Sequence, residues 1–142
     1  MGMFFMAKDY VEFLSDLKGY ISSELIFIKP EESRWKDMPQ LAEDERFGHY
    51  PVGVLSNGKN TIELFFLHYH SEQEAREKWQ RRIKRINWDR MLVKFNDQNG
   101  CTEKEGWYTV IHQFPKHDFI MASYEPFGKN KYIDITSVIN KL

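Results

Sequence analysis

The stretch Ile62-Glu63-Leu64-Phe65-Phe66-Leu67-His68-Tyr69, followed at once by Ser71-Glu72-Gln73-Glu74, decides the fold class. The first run is nearly all apolar, as in a strand covered on both faces of an α/β sheet. Ser-x-x-Glu is a capping box, in which each side chain satisfies a backbone N–H at a helix start. Ala75, Trp79, Ile83 and Ile86 then recur at helical spacing, so a helix runs to about Asn87 with these residues buried.

Working outward, Val52-Gly53-Val54-Leu55 precedes Ser56-Asn57-Gly58-Lys59, and Asn-Gly is the strongest short hairpin signal because both residues tolerate positive φ. The polar segment 31–50 carries Pro39 and Gly48 and shows no sustained period, which marks a functional or mobile loop. Trp35, Met38, Leu41 and Phe47 within it indicate that it packs down. Upstream, Met3-Phe4-Phe5-Met6 reads as a buried strand. Asp9 with Glu12 reads as a capping box opening a helix to about Ser22, and residues 25–28 read as a second strand.

Downstream, 91–95 reads as a strand and Thr102-Glu103-Lys104-Glu105 as a capping box opening a helix to about Phe114. Residues 119–122 read as a further strand and 134–142 as a last helix. Strand, helix, strand, helix, strand implies parallel neighbours with right-handed crossovers. The expectation is one α/β domain over 1–142, a three-layer α/β/α arrangement with a largely parallel sheet of βαβ units and a β-hairpin near 52–69.

The 142 residues include 42% hydrophobic and 15% aromatic side chains, enough to bury a core and to exclude a disordered chain. The formal net charge is −1, so no global field attracts nucleic acid, and no recognition motif for it is present. A single cysteine, Cys101, excludes an internal disulfide, and no apolar run approaches the roughly 20 residues of a membrane span. With no basic leader and cleavage pattern at residues 1–7, a soluble cytoplasmic protein is expected.

In a parallel sheet the carboxyl ends of the strands at 61–69 and 91–95 share one edge, outside which ligands bind. His68 and His70 would end one strand there, Ser71 opens the next helix, and Asp97, Asn99, Gly100, Cys101 and Thr102 form the following loop. The two histidines serve either as a general base or metal pair, or as one packed and one exposed side chain. Cys101, ahead of a helix start, is either a thiol activated by His68 and Asp97 or a small packed residue. Asp97-Gln98-Asn99-Gly100 is a turn by composition. It is half of a calcium loop without the required downstream glutamate, so no metal is assigned.

The helix from Ser71 also carries Arg76, Lys78, Arg81, Arg82, Lys84 and Arg85. It is either a solvated face or a site for phosphate or sulfate, which guanidinium forks match. Trp35, Trp88 and Trp107 are candidates for stacking on a sugar or anchoring a partner.

These residues carry a family resemblance. Phe66-Leu67-His68-Tyr69, Glu74-Ala75, Glu77-Lys78-Trp79, Arg81-Arg82 and Lys84-Arg85-Ile86-Asn87-Trp88-Asp89 resemble the signature of a bacterial family whose members are often labelled exopolysaccharide biosynthesis proteins. Val93-Lys94-Phe95 with Asp97 and Gly100-Cys101-Thr102, then Phe4-Phe5 with Lys8-Asp9-Tyr10, and Tyr50-Pro51-Val52-Gly53 are similar to further segments of it.

The resemblance implies the three-layer fold and a link to surface-polysaccharide assembly. It carries no assigned reaction. It also implies a further N-terminal strand and loop that this chain lacks, and hence a truncated relative with an open strand edge. The resulting expectation is a transferase acting on a phosphorylated or nucleotide-activated sugar. His68, Asp97 and Cys101 would be catalytic, and Ser71, Lys78, Arg82, Arg85 and Thr102 would hold the anion. The alternatives are a non-catalytic glycan- or partner-binding module, or a truncated relative with little activity. No pattern selects a cofactor or an oligomeric state.

Overall fold

A computed structural model describes residues 2–88, 93–94, 99, 110–114 and 117–122. The elements in chain order are α1 (Ala7–Ser15), α2 (Leu17–Ile21), β1 (Ile26–Ile28), a 3₁₀ turn (Pro30–Glu32), α3 (Pro39–Ala42), β2 (Val52–Ser56), β3 (Thr61–Phe65), α4 (Glu72–Ile83), β4 (Val93–Lys94), β5 (Val110–Phe114) and β6 (His117–Ala122). The protein is a mixed α/β structure.

The hairpin forms where Asn-Gly places it. Asn57 Oδ1 accepts from the N–H groups of Lys59 (3.0 Å) and Asn60 (2.8 Å), and Gly58 adopts φ +86°. β2 and β3 are therefore antiparallel, with Val52 opposite Phe65 and Leu55 opposite Ile62, and β1 adds antiparallel to β2. Paired residues share a face, so β3 sends Ile62 and Leu64 to one side and Glu63 and Phe65 to the other.

The first face buries Leu55, Ile62, Leu64 and Phe66 against Phe13, Leu14, Leu17 and Tyr20 of the two N-terminal helices and Ala75 and Trp79 of α4. The second face buries Val52, Phe65, Tyr50 and Leu41, with Trp35, Met38 and Phe47 packed on them. The segment 31–50 therefore packs down, as its apolar residues indicate. Trp79 belongs to the core.

The largely parallel sheet expected from the strand–helix alternation is not what forms. The first sheet, β1-β2-β3, is antiparallel throughout. The second has the order β4-β6-β5, with β4 parallel to β6 and β5 antiparallel to β6. Among the described residues β3 and β4 lie in different sheets and do not pair. The reason is that the outer edge of β3 is already occupied. Phe4 exchanges backbone bonds of 2.9 Å with Phe65, and their rings stack at 4.9 Å.

Three local readings also change. Phe4 contributes a single bridge to Phe65 rather than a strand over 3–6. The helix expected over 9–22 divides at Asp16, whose side chain accepts from Gly19 N and caps α2. Residues 110–114 are strand, not helix. There the β-branched pair Val110-Ile111 favours a strand, and the rest of the expected helix, over 102–109, lies outside the described residues. The helix expected over 134–142 lies outside the described residues.

Gly53 sits where the sheet meets β1's approach. A Cβ there would lie 2.7 Å from Leu25 Cδ1 and 3.0 Å from Phe66 Cε2. Gly53→Ala is expected to cost about 1–3 kcal/mol through overpacking, read as a lower urea midpoint with an unchanged slope.

Candidate functional site

Asp9 does not cap α1. The helix begins at Ala7, and Met6 precedes it without a side-chain bond. Asp9 instead turns inward, 1% exposed. Its Oδ1 pairs with the Arg34 guanidinium, and its Oδ2 accepts from Trp35 Nε1 (2.8 Å) and from the backbone N–H of Glu63 (2.9 Å). The last bond is one that a neighbouring strand would otherwise make, so a carboxylate extends the edge coverage that Phe4 begins. Arg34 completes it by donating to the Thr61 carbonyl (2.7 Å).

Glu63 is also buried. It accepts from Ser33 Oγ (2.5 Å) and from Arg34 N (3.0 Å), and Ser33 Oγ accepts from Trp35 N (3.1 Å). The tripeptide Ser33-Arg34-Trp35 thereby latches the long excursion onto β3. Arg34 also lies over the Trp35 ring, 5.3 Å from its centroid. Two buried carboxylates held by several donors satisfy the rule that interior charge must be paired or hydrogen-bonded.

Beside this network opens a cleft of about 640 Å³, lined by Lys8, Asp9, Val11, Glu12, Ser15, Arg34, Trp35, Lys59, Asn60 and Thr61. Glu12 is held in place: its Oε1 accepts from Tyr20 Oη (2.7 Å) and Asn60 Nδ2 (3.2 Å). Burial, then the bond to Glu12, pushes the Tyr20 phenol well above its ordinary range. Lys8, Arg34 and Lys59 supply cations, Asn60 and Thr61 supply polar groups, and Trp35 supplies an aromatic ring. Such a wall can hold an anion that also carries hydroxyl groups.

Of the residues singled out by sequence, His68, His70 and Ser71 lie beyond the other end of β3. His68 and His70 are exposed on the connection to α4. Their backbone N–H groups donate to the Gly2 carbonyl (3.1 Å) and to Glu74 Oε2 (3.0 Å). Ser71 caps α4, its Oγ accepting from Glu74 N (3.1 Å). The reciprocal bond of the capping box thus reaches His70 instead of Ser71.

Lys78 pairs with Glu74 (2.6 Å) and stands over the Tyr69 ring at 4.9 Å, where Arg82 also lies at 5.8 Å. The Lys78 ammonium, then the His70 N–H, holds the Glu74 carboxyl below its usual range. Arg85 is exposed. Ser71, Lys78 and Arg82 are therefore gathered around Glu74 and Tyr69. Asp97, Cys101 and Thr102 lie outside the described residues. Asn99 adopts φ +56°, as a turn requires, and its carbonyl accepts from Ala7 N (2.9 Å). Trp88 is half-buried against the core, and Trp107 lies outside the described residues. Among the described residues no group of three or more His, Cys, Asp or Glu side chains is arranged to hold a metal. No helix among them is long and apolar enough to cross a membrane.

Sequence reading missed Asp9, Arg34, Glu63 and the cleft. One signal was available: Glu63 is the single charge inside Ile62-Glu63-Leu64-Phe65-Phe66-Leu67, and a charge in a buried run needs a partner.

The fold and the network define a small mixed α/β unit organised around a buried acidic pair. A family model described as "Domain of unknown function (DUF1919)" matches residues 1–123, and the chain belongs to that family. An "Uncharacterized protein" of Haemophilus influenzae is 29% identical over 127 residues, covering 89% of this chain and 51% of the relative. The chain spans about half the length of the curated relative it matches.

Asp9→Ala is expected to cost roughly 2–4 kcal/mol, because the Glu63 N–H and Trp35 Nε1 lose a buried acceptor; urea unfolding measures it. Alkaline pH provides a second check. Burial pushes the Tyr10 and Tyr50 phenols from 10.0 to about 12, and Tyr20 is raised as well. These groups are neutral in both folded and unfolded chains below pH 10. Above it the unfolded chain loses protons first, so stability falls as pH rises through 10 to 12. Ultraviolet titration of the phenolates should show these tyrosines ionising together with unfolding.

Proposed function

We propose that this chain binds a phosphorylated or nucleotide-activated sugar in the cleft beside Asp9, as part of bacterial surface-polysaccharide assembly in the cytoplasm. The observation that carries the reading is the lining of the cleft of about 640 Å³, which brings together Lys8, Lys59, the Asp9-paired Arg34, Glu12, Asn60 and Trp35. Cations suit the phosphate, and the aromatic ring and amide suit a sugar. The resemblance to proteins labelled for exopolysaccharide biosynthesis supports the substrate class.

In the transferase form of this reading, Glu12 takes the proton from an acceptor hydroxyl, since Tyr20 and Asn60 hold one of its oxygens and fix its carboxylate. Ser71, Lys78 and Arg82, gathered around Glu74 and Tyr69, lie outside this cleft. A second reading, a non-catalytic binding module, is favoured by the network itself. Asp9 and Glu63 already accept bonds from Arg34, Trp35, Ser33 and backbone N–H groups, and so hold the fold.

Calorimetric titration with uridine diphosphate sugars and sugar 1-phosphates tests the proposal. Micromolar binding that Lys59→Glu weakens roughly tenfold, the effect of about 1.4 kcal/mol, is expected. No binding across the panel overturns it. Release of nucleotide in the presence of glycan acceptors, abolished by Glu12→Gln while binding persists, selects the enzyme. Binding without turnover selects the module.

A further inference from the structure

The second half of α4 and the turn after it carry Lys78, Arg81, Arg82, Lys84 and Arg85, with no Asp or Glu between residues 78 and 88. Lys84 keeps helical backbone angles, and Arg85 N bonds to the Arg82 carbonyl (3.0 Å), so the coil continues past Ile83. At about 100° per residue, these five cations fall on an arc of about 160°. Trp79 and Ile83 point to the opposite side and pack into the first core cluster. Arg81, Arg82, Lys84 and Arg85 are exposed. Lys18 of α2 stands by the turn after α4, its Nζ 5.3 Å from the centroid of the Trp88 ring.

On this face Lys78 pairs with Glu74. A helix C-terminus gains from one or two cations; a charge density of this kind in a chain of net charge −1 is a local patch.

We infer that this face docks the chain on an anionic lipid surface. Charge complementarity selects the occupant. The patch is confined to the outer side of the second half of α4 and the turn after it, beyond Glu72, Glu74 and Glu77 of the first half, and such a short exposed surface can lie against a plane of headgroups, whereas a nucleic-acid duplex calls for an element that enters a groove. The near-zero net charge gives little long-range pull on a polyelectrolyte, while a lipid surface acts on basic residues within a Debye length. Because the apolar side of α4 is committed to the core, the contact is electrostatic, without insertion. This surface and the cleft share no residue, so either proposal stands without the other.

Co-sedimentation of the full chain with phosphatidylcholine vesicles, with and without phosphatidylglycerol, tests the inference. Binding is expected only with phosphatidylglycerol. It should be lost when ionic strength rises from about 0.1 M to about 1 M, where the Debye length shrinks to about 3 Å. Arg81→Gln/Arg82→Gln/Arg85→Gln should lower partitioning roughly a hundredfold, three basic contacts at about fivefold each. Lys29→Gln/Lys36→Gln, exposed on another part of the surface, should leave it unchanged. If the triple variant fails to fold, lipid and salt dependence of the unaltered chain decide. Equal binding to neutral vesicles, retention at high salt, a folded triple variant that still binds, or stronger Arg-dependent binding to a duplex oligonucleotide overturns the inference.

Discussion

The outer edge of β3 is the constraint around which the N-terminal portion is built. An edge strand exposes a row of backbone N–H and C=O groups that must be covered or paired. Here the covering comes from three sources: the backbone of Phe4 at Phe65, the carboxylate of Asp9 at Glu63, and the guanidinium of Arg34 at Thr61. Only the first is a strand-like partner. The other two are side chains, and they bond to each other, so α1 and the excursion after β1 are fastened at the same place. Removing one member leaves buried groups without partners and uncouples both segments from the sheet.

That arrangement explains why the cleft is where it is. Asp9 holds α1 against the start of β3, and Arg34 holds the excursion there, leaving a gap floored by the network and walled by Lys8, Glu12 and Lys59. Asn57 Nδ2 donates to Asp16 Oδ2 (2.8 Å) and Asn60 Nδ2 to Glu12, so the hairpin turn is tied to α1 and to the helix break at Asp16. The walls are therefore set by hydrogen bonds between distant segments, the kind of support a binding site needs. The opposite end of β3 is organised differently. There Glu74 and Tyr69 gather Ser71, Lys78 and Arg82 through local, helix-based contacts.

Much of the local structure was legible because it depends on residues close in sequence. Asn57-Gly58 made a turn through its own side chain and a positive φ, and Ser71 with Glu74 opened α4. The 3.6-residue spacing of Ala75 and Trp79 named the buried side of that helix. Even the packing of the 31–50 excursion could be read, since its apolar side chains need a surface to cover. The division of the first helix at Asp16 and the strand at 110–114 were misread. In each case one local signal, periodicity or a capping box, was given more weight than a competing one nearby.

The sequence by itself determined the mixed α/β class, the hairpin, the capped helix and most of the core, all of which follow from short-range backbone preferences and hydrophobic periodicity. Only the tertiary structure decided strand direction beyond the hairpin, the partner of β3 and the role of Asp9. A strand's partner is chosen by which segment can satisfy its free edge, and that competition is settled across 54 positions in sequence, between Asp9 and Glu63. A carboxylate at a helix start reads the same in sequence whether it caps its own helix or supports a strand. The difference lies in where the rest of the chain places a buried N–H group that needs an acceptor.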